Sequence, residues 1–504
     1  MTSFFRSDRS TAILLCIGFL LSLALRWQNI QSEPKQHFEG ITAHALVTMK
    51  VWEKRGGPSA SHFAPIFTFP EPGNKYIANG HLPGIYNAAG DFYYVSYPPL
   101  SFLIPYYVFK SIGAPISFNS IRWFGLLIEL LVLLFLFDLV KRIFSAQQNP
   151  QAKNLALTAA LLYLFLPVTL WYQCNFYFAD SLMQLFYIIM VWLYWRHKQE
   201  NKILFFFLLL LLAFISSLTD WLSYLVVFSI SILYVKQKKY SHAVFILLPM
   251  ALGLISMLWL YAQIAGWYEL LSVLNKKLIL RSGWSTEDFS SEGLSYFTWH
   301  SYERIIWFFA SGFGLLLLYS LSSIGYKRKF SVADSMSDLK FIFFVPVLSH
   351  LILLFNFNVV HDFFVLKWSF ILILLALPLF SFILQQQKKW MFISLIVVLL
   401  GNSIIYRALY SRSEGNYRLI GNQIRQWATD EERIYVNKGF YYNPIAVFYA
   451  ERNYCSKGNA ELAYRDAGNY NQPLLFFAFS DHSLDSVVHV SLSDEKKIIF
   501  NHSK

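Results

Sequence analysis

The sequence predicts a polytopic α-helical membrane protein with about eleven transmembrane helices, outer-surface juxtamembrane helices and a small C-terminal α/β extracytoplasmic domain. Of its 504 residues, 56% are hydrophobic and 14% are charged, whereas about 25% of residues are charged in soluble domains. Apolar runs close to the ~20 residues that cross a bilayer recur from Thr11 to Tyr406. The basic residues behind the net charge of +12 cluster in short loops between these runs. This pattern follows the positive-inside rule, so we expect contact with membrane lipids and none with nucleic acid.

The chain begins with a basic segment, in which Arg6 and Arg9 precede an apolar run over residues 11–25. No small-residue cleavage site follows this run, so we expect an uncleaved first helix with a cytoplasmic N-terminus. A Gly- and Pro-rich first outer loop follows over residues 30–120 and holds the juxtamembrane helices.

The segment FYYVSYPPLSFLIPYYVFKSIGAP, residues 92–115, decides the orientation of the later helices. If it crossed the membrane, the basic ends of those helices would all face outward. If it lies on the outer surface as a short helix started by Pro98 and Pro99, the basic ends all fall inside: Lys141-Arg142 and residues 195–202, 236–239, 326–329 and 385–390. We therefore predict a surface helix here, later spans ending near residue 407, and an outer C-terminus.

The last hundred residues differ in character from the rest of the chain. Residues 415–453 are polar with a helical period, and PLLFFAFS and SVVHVSLSD have the composition of short strands. The predicted domains are therefore a transmembrane domain over residues 1–407 and an extracytoplasmic α/β domain over residues 408–504.

Acidic residues lie at the predicted outer ends of the helices. Glu39 follows the first helix, and His37 and His44 are spaced to share a helical face with it. Asp180 and Asp220 each begin a descending helix, where an aspartate also serves as a cap for free backbone N–H groups.

Basic residues lie at the same predicted boundary. His361 is at a further outer turn, and Lys367 follows about one and a half turns into the next helix. An unpaired charge facing lipid costs several kcal/mol, so such residues usually face a cavity, although a lysine can instead snorkel to the interface. The outer loop 263–302 adds further cations that run against the positive-inside bias. They are either phosphate ligands or solvated loop residues: Lys276, Lys277, Arg281 and His300.

Several of these motifs together resemble the GT-C superfamily of integral-membrane glycosyltransferases, in the branch of protein O-mannosyltransferases and lipid A aminoarabinose transferases. The motifs are HFEG after the first helix, YPPL at residues 97–100, the arginine-led helix IRWFGLLIELLVLLFLFDLVKRIF, YFADSLMQLF and, more weakly, HDFFVLKW. Many relatives carry Asp-Glu or Asp at the first motif, where this chain has Phe38-Glu39.

The resemblance implies an inverting hexosyl or pentosyl transfer from a polyprenyl-phosphate donor to a lipid, glycan or protein acceptor. The reaction would take place on the outer face of a bacterial inner membrane. Glu39 would be the catalytic base and Asp180 a second acid, which orients the acceptor or holds a divalent cation; metal dependence stays open. The implied substrate-binding residues are His37, His44, Tyr97, Asp220, Lys276, Lys277, Arg281, His300, His361 and Lys367.

Two other functions compete with this interpretation. A secondary transporter or flippase would place its functional charges at mid-membrane within interrupted helices, whereas these charges gather at the predicted outer boundary. A polysaccharide polymerase or ligase also has large outer loops, and its need for a diphosphate-linked donor would distinguish it.

Overall fold

The computed structural model describes residues 8–34, 37–70, 83–283, 296, 298–325, 334–410, 417–430, 432–437, 443–457, 473–480, 483–490 and 496–501. The described residues divide into two compact units. The first unit draws on Met1–Gln31, Arg122–Ser256 and Leu278–Arg412, and the second on Ser32–Ile121, Met257–Lys277 and Ser413–Lys504. The two-domain division at residue 407 stays a prediction.

Helices dominate the described residues, as the composition predicts. In chain order they are α1 (Asp8–Gln31), α2 (Glu39–Lys54), α3 (Leu100–Ile112), α4 (Phe118–Ala146), α5 (Ala152–Leu164), α6 (Pro167–Tyr172), α7 (Ala179–Glu200), α8 (Ile203–Ser217), α9 (Leu222–Lys236), α10 (Tyr240–Ser282), α11 (Trp299–Phe313), α12 (Leu315–Gly325), α13 (Asp334–Leu353), α14 (Phe355–Val360), α15 (Ser369–Gln386), α16 (Lys388–Tyr410), α17 (Tyr417–Trp427) and α18 (Pro444–Ala450). Helix α10 is interrupted at Ala265 and Gly266, where the backbone leaves the helical region.

Six helical segments in the described residues are long and apolar enough to cross a membrane: Arg9–Gln31, Phe118–Ala146, Tyr240–Ser282, Met336–Leu353, Asp362–Gln386 and Lys388–Tyr410. The pair α11 and α12, bent by 103° at its break, would form a seventh crossing. Helices α3, α5, α8 and α9 are apolar but shorter. The prediction of a polytopic helical membrane protein is confirmed, while the number of eleven crossings and their orientation stay predictions.

The YPPL segment forms helix α3, which begins directly after its N-cap residue Pro99 and ends before Gly113, a left-handed residue with φ 67°. Its 13 residues extend about 20 Å, which is less than the ~30 Å hydrocarbon core. A short helix started by the prolines was therefore predicted correctly, and its place on the outer surface stays a prediction.

A buried ion pair joins α1 to α4 in the first unit. Nη2 of Arg26 lies 2.5 Å from Oε2 of Glu129, and both side chains are fully buried. The same Arg26 nitrogen also donates to the hydroxyl of Ser22 at 3.1 Å, and Arg122 donates from α4 to the carbonyl oxygen of Ile30 at 2.8 Å. These polar contacts fix the register of α1 against α4.

In the second unit, the C-terminal region forms a five-stranded sheet in the order β4-β3-β5-β6-β7. The strands are β3 (Arg433–Asn437), β4 (Cys455–Lys457), β5 (Leu474–Ser480), β6 (Ser483–Val490) and β7 (Lys496–Asn501), after a short hairpin of β1 (Ile85–Tyr86) and β2 (Phe92–Tyr93). Strand β3 is parallel to both its neighbours, and the other pairs in this sheet are antiparallel. The two predicted short strands and the α/β character of the C-terminal region are confirmed.

One part of the C-terminal prediction was wrong, because strand β3 interrupts the stretch 415–453 that the sequence predicts to be helical. Ile434, Tyr435 and Val436 are buried, as expected for a strand that is covered on both faces. Three consecutive β-branched or aromatic residues override the helical period of their flanks, which do form α17 and α18.

Helix α2, which begins at Glu39, is held by a charged anchor in the same unit. The carboxylate of Glu451 lies 2.6 Å from Nζ of Lys50, 3.6 Å from Nζ of Lys54 and 3.3 Å from Nη1 of Arg425. A Cβ on Gly40 would lie 3.1 Å from Cγ of Pro444, so the start of α2 packs closely against α18. The position of Glu39 therefore depends on the C-terminal region.

Replacing Glu129 by Leu is expected to destabilise the protein by about 3–5 kcal/mol, because it leaves the Arg26 guanidinium buried without its counter-charge. The double variant Arg26→Leu/Glu129→Leu is expected to recover most of that loss. Thermal unfolding of the detergent-solubilised protein measures both. The control Glu200→Gln, in a partly exposed ion pair with Arg196, should melt near the wild-type temperature. A double variant that melts no higher than the single one would contradict the role of the ion pair.

Candidate active site

A buried charge cluster lies in the first unit around Lys367. This residue is in the 3-10 helix Asp362–Trp368, directly before α15. Its ammonium nitrogen lies 2.7 Å from Oδ1 of Asp180 and 3.9 Å from Oδ1 of Asp220, and all three side chains are at most 3% exposed. Three residues that the sequence assigns to separate outer turns therefore share one site.

His350 of α13 completes the cluster. Its Nε2 lies 3.1 Å from the Lys367 ammonium, and the side chain is buried. An ammonium group only donates hydrogen bonds, so Nε2 accepts and any ring proton sits on Nδ1. Sequence reasoning missed this residue. An ionisable side chain within an apolar run was the available indication.

The structure distinguishes between capping and cluster roles for Asp180 and Asp220, and between burial and snorkelling for Lys367. The N-cap residue of α7 is Phe178, which makes no side-chain cap, so Asp180 does not act as the cap of its helix. Lys367 is buried in an ion pair and does not snorkel. Asp220 does serve the backbone, because its Oδ1 accepts from the N–H of Leu222 at 2.7 Å.

Asp180 keeps one oxygen open. Lys367 contacts Oδ1, and within the described residues no hydrogen-bond donor reaches the buried Oδ2. A buried carboxylate oxygen normally has a donor, so Oδ2 is suited to receive one from a bound molecule.

The protonation of Asp220 is shifted by its surroundings. Burial raises the pKa of Asp220 to about 6, with the Asp180 charge adding to the rise and the Lys367 ammonium opposing it. Arg281 also opposes the rise. The carboxyl of Asp220 is therefore poised to take up a proton under mildly acidic conditions.

Two further predicted residues meet on the ring of Phe357 in the same unit. The ring of His361 stacks on Phe357 at 4.6 Å, and its Nδ1 lies 2.9 Å from the Phe357 carbonyl oxygen. The Arg281 guanidinium lies 5.4 Å from the centre of the Phe357 ring, a cation–π distance. Next to His361, the carboxylate of Asp362 accepts a hydrogen bond from the hydroxyl of Tyr172. Asp362 and Tyr172 were not among the predicted site residues.

In the second unit, two predicted residues, His44 and Tyr97, belong to a stack of rings that we call the aromatic column: His44, Phe67, Tyr94 and Tyr97. His44 stacks on Phe67 with ring centres 4.0 Å apart, Phe67 on Tyr94 at 4.8 Å, and Tyr94 on Tyr97 at 5.9 Å. The buried ammonium of Lys277 lies 3.5 Å from the centre of the Tyr94 ring. Phe67 and Tyr94 were missed, because a stacking partner cannot be recognised from spacing alone.

Glu39 is the first residue of α2 and is fully buried. A carboxylate in the first turn of a helix is stabilised by the free N–H groups and the helix dipole. Phe38 before it is left-handed, with φ 57°. His37 precedes the helix and is exposed, so it does not share a helical face with Glu39. His44, the other predicted neighbour of Glu39, does lie within α2.

The remaining predicted cations are on the surface. Lys276 is exposed next to the buried Lys277. His300 is 63% exposed, and its Nδ1 lies 3.5 Å from a carboxylate oxygen of Glu303. Lys276 and His300 are therefore solvated side chains.

Known proteins share the fold of this chain. An oligosaccharyltransferase of Archaeoglobus fulgidus, tethered with an acceptor peptide, superposes with a TM-score of 0.54 at 10% identity over 91% of this chain. Archaeal oligosaccharyltransferase AglB from the same organism, in complex with an inhibitory peptide and a dolichol-phosphate, gives a TM-score of 0.54 at 11% identity over 98% of this chain and 74% of that one. ArnT from Cupriavidus metallidurans gives 0.51 at 12% identity over 94% and 92%. These neighbours are GT-C membrane glycosyltransferases. The chain has the GT-C fold.

The GT-C fold is thereby established at low sequence identity. The chain spans 65% of the length of the first oligosaccharyltransferase structure. No protein-family model matches the sequence, and no curated protein matches it.

Acid sensitivity tests the aromatic column. Burial, and then the Lys277 charge, lower the pKa of His44 from 6.5 to about 3, so between these values the unfolded chain holds a proton that the folded chain lacks. Stability should therefore fall as the pH drops below 6.5, with a His44 contribution of at most about 2 kcal/mol by pH 5.

His44→Phe keeps the stacked ring and should flatten this dependence, which melting temperatures at pH 7 and pH 5 measure. The exposed His300→Phe should keep the wild-type slope. Equal slopes for His44→Phe and wild type would contradict the buried, neutral imidazole.

Proposed function

We propose that this protein is an inverting glycosyltransferase that moves a sugar from a polyprenyl-phosphate donor to an acceptor hydroxyl on a lipid, a glycan or a protein. The observation that carries this proposal is the buried carboxylate of Asp180, which is ion-paired through Oδ1 and open at Oδ2. Buried ionisable groups in a membrane protein are costly, and they mark functional sites. The GT-C fold supports the same class of chemistry.

We propose that the acceptor binds next to Asp180. It donates a hydrogen bond to Oδ2 from a group other than its reacting hydroxyl, because that hydroxyl has a single proton. As the hydroxyl oxygen bonds to the anomeric carbon of the donor and the bond from that carbon to the phosphate breaks, the hydroxyl proton goes to a base. We propose Glu39 for this role, because it is a carboxylate at a helix N-terminus that is withdrawn from bulk water.

We assign the donor phosphate to the buried and half-buried cations. A phosphate leaving group departs more readily when fixed cations offset its charge, and Arg and Lys bind phosphate well. Lys277 is the candidate in its unit, because its ammonium is buried and lies 3.5 Å from the centre of the Tyr94 ring. Arg281 and His361 are the candidates in the other unit, where both meet Phe357.

The solved neighbours support a lipid-phosphate donor without fixing its identity. AglB is seen with a dolichol-phosphate and an inhibitory peptide, so one protein of this fold accommodates both kinds of molecule. We place the reaction at the outer face of a bacterial inner membrane, with hexosyl or pentosyl groups as the transferred sugars.

The test is transfer of radiolabelled sugar from polyprenyl-phosphate donors in membranes that carry wild type, Asp180→Asn or Glu39→Gln at equal levels, with lipid and protein fractions analysed separately. Wild type should label one fraction, and each variant should lose about 10²–10⁴-fold in rate. The control Glu200→Gln should keep wild-type activity.

Three other outcomes would contradict the proposal in different ways. Wild-type activity in Glu39→Gln would move the base elsewhere. Transfer only from diphosphate-linked donors would favour a polymerase or ligase. Movement of the donor across vesicles with no covalent transfer would favour a transporter.

A further inference from the structure

The cluster around Lys367 bears on whether the site needs a metal ion. Asp180 was considered above as a ligand for a divalent cation, and a second carboxylate, Asp220, lies in the same cluster. Two carboxylates within reach of one point are a common way to hold a divalent cation with water and substrate oxygens. The two carboxylates are therefore suitable ligands for a divalent cation, provided that the space between them is open.

The centre is taken by a cation of the chain itself. The Lys367 ammonium lies 2.7 Å from Asp180 Oδ1 and 3.9 Å from Asp220 Oδ1, so a divalent ion bound to these oxygens would meet an ammonium charge at close range. The remaining neighbour, His350, already faces the ammonium with Nε2 at 3.1 Å. Oδ1 of Asp180, Oδ1 of Asp220 and Nε2 of His350 thus all face the Lys367 ammonium. Among the described residues, no group of three His, Cys, Asp or Glu side chains converges to hold a metal ion.

The charge balance agrees with this arrangement. Asp180 and Asp220 supply two potential negative charges and Lys367 one positive charge. Arg281 acts electrostatically on Asp220 and on Lys367, and it adds a second positive charge nearby. The cluster is close to neutral without a bound ion, which is what a buried group of charges requires.

We propose that Lys367 is the resident cation of this carboxylate pair and takes the place of a divalent metal ion, so that the protein folds and works without one. Lys367 is then a positioning residue: it holds Asp180 by Oδ1 and leaves Oδ2 directed at the acceptor. The catalytic part of this statement rests on the proposed transferase function. The absence of a metal requirement does not depend on that function, because metal content and melting temperature test it directly.

The first test uses the purified full-length wild-type protein. Its metal content, measured by inductively coupled plasma mass spectrometry, should be well below one equivalent of Mg²⁺, Ca²⁺, Mn²⁺ or Zn²⁺. Its melting temperature should be the same in EDTA and in millimolar Mn²⁺. A stoichiometric metal, or a melting temperature that EDTA lowers and Mn²⁺ restores, would overturn the proposal whether or not a sugar substrate is known.

The second test removes the resident cation. Lys367→Met leaves Asp180 and Asp220 without the ammonium, so it should melt several degrees lower than wild type, and millimolar Mn²⁺ should recover part of that loss. The matched control Lys276→Met, at an exposed lysine, should melt as wild type and ignore Mn²⁺. A Lys367→Met protein that melts at the wild-type temperature, or that does not respond to Mn²⁺, would overturn the proposal. If this variant does not fold, the wild-type measurements decide alone.

A third readout connects the cluster to the reaction. Sugar transfer by wild type should proceed at an unchanged rate in EDTA, and an EDTA-sensitive rate would overturn the proposal. If no transfer is found under any condition, the proposed function fails, while the metal content and the melting temperatures still decide whether Lys367 is the resident cation.

Discussion

The ion pair between Asp180 and Lys367 is the interaction on which the first unit depends most. It joins the first turn of α7 to the 3-10 helix before α15 at 2.7 Å, and it draws in Asp220 from the turn between α8 and α9 and His350 from α13. Breaking one member of such a pair leaves an uncompensated charge in the interior, which costs more than the pair contributes when intact. The membrane helices therefore cannot rearrange locally without exposing this cluster to lipid or to an unpaired state.

In the second unit, a buried cation is stabilised by an aromatic ring instead of by carboxylates. Lys277 is buried, and the face of Tyr94 lies under its ammonium. A ring face stabilises a desolvated cation through the electrostatic attraction of its π-system. His44, at one end of the aromatic column, is neutral and adds no competing charge. The two units thus differ in chemistry: the first contains a balanced charge cluster with an open carboxylate oxygen, and the second contains a buried cation against an aromatic face.

Hydropathy and charge patterning predict the helical membrane class, the short helix after the YPPL prolines and the strands in PLLFFAFS and SVVHVSLSD, because each rests on local sequence. Strand β3 was mispredicted, since its burial on both faces is decided by neighbouring strands. The candidate acids and lysines were chosen from the sequence by the cost of a charge at a membrane boundary. Which of them pair could not be predicted, because Asp180 and Lys367 are far apart in sequence and meet only through helix packing. His350 and Phe357 contribute by touching another side chain, and no spacing rule reveals that.

The most direct measurement is a double-mutant cycle between Asp180→Asn and Lys367→Met, with unfolding free energies determined in detergent for wild type, both single variants and the double variant. A real buried ion pair predicts a coupling energy of about 1–3 kcal/mol, with the double variant more stable than the sum of the single losses implies. Single losses that add to within ~0.5 kcal/mol would mean that the two side chains do not interact, and the charge cluster would then not exist as described.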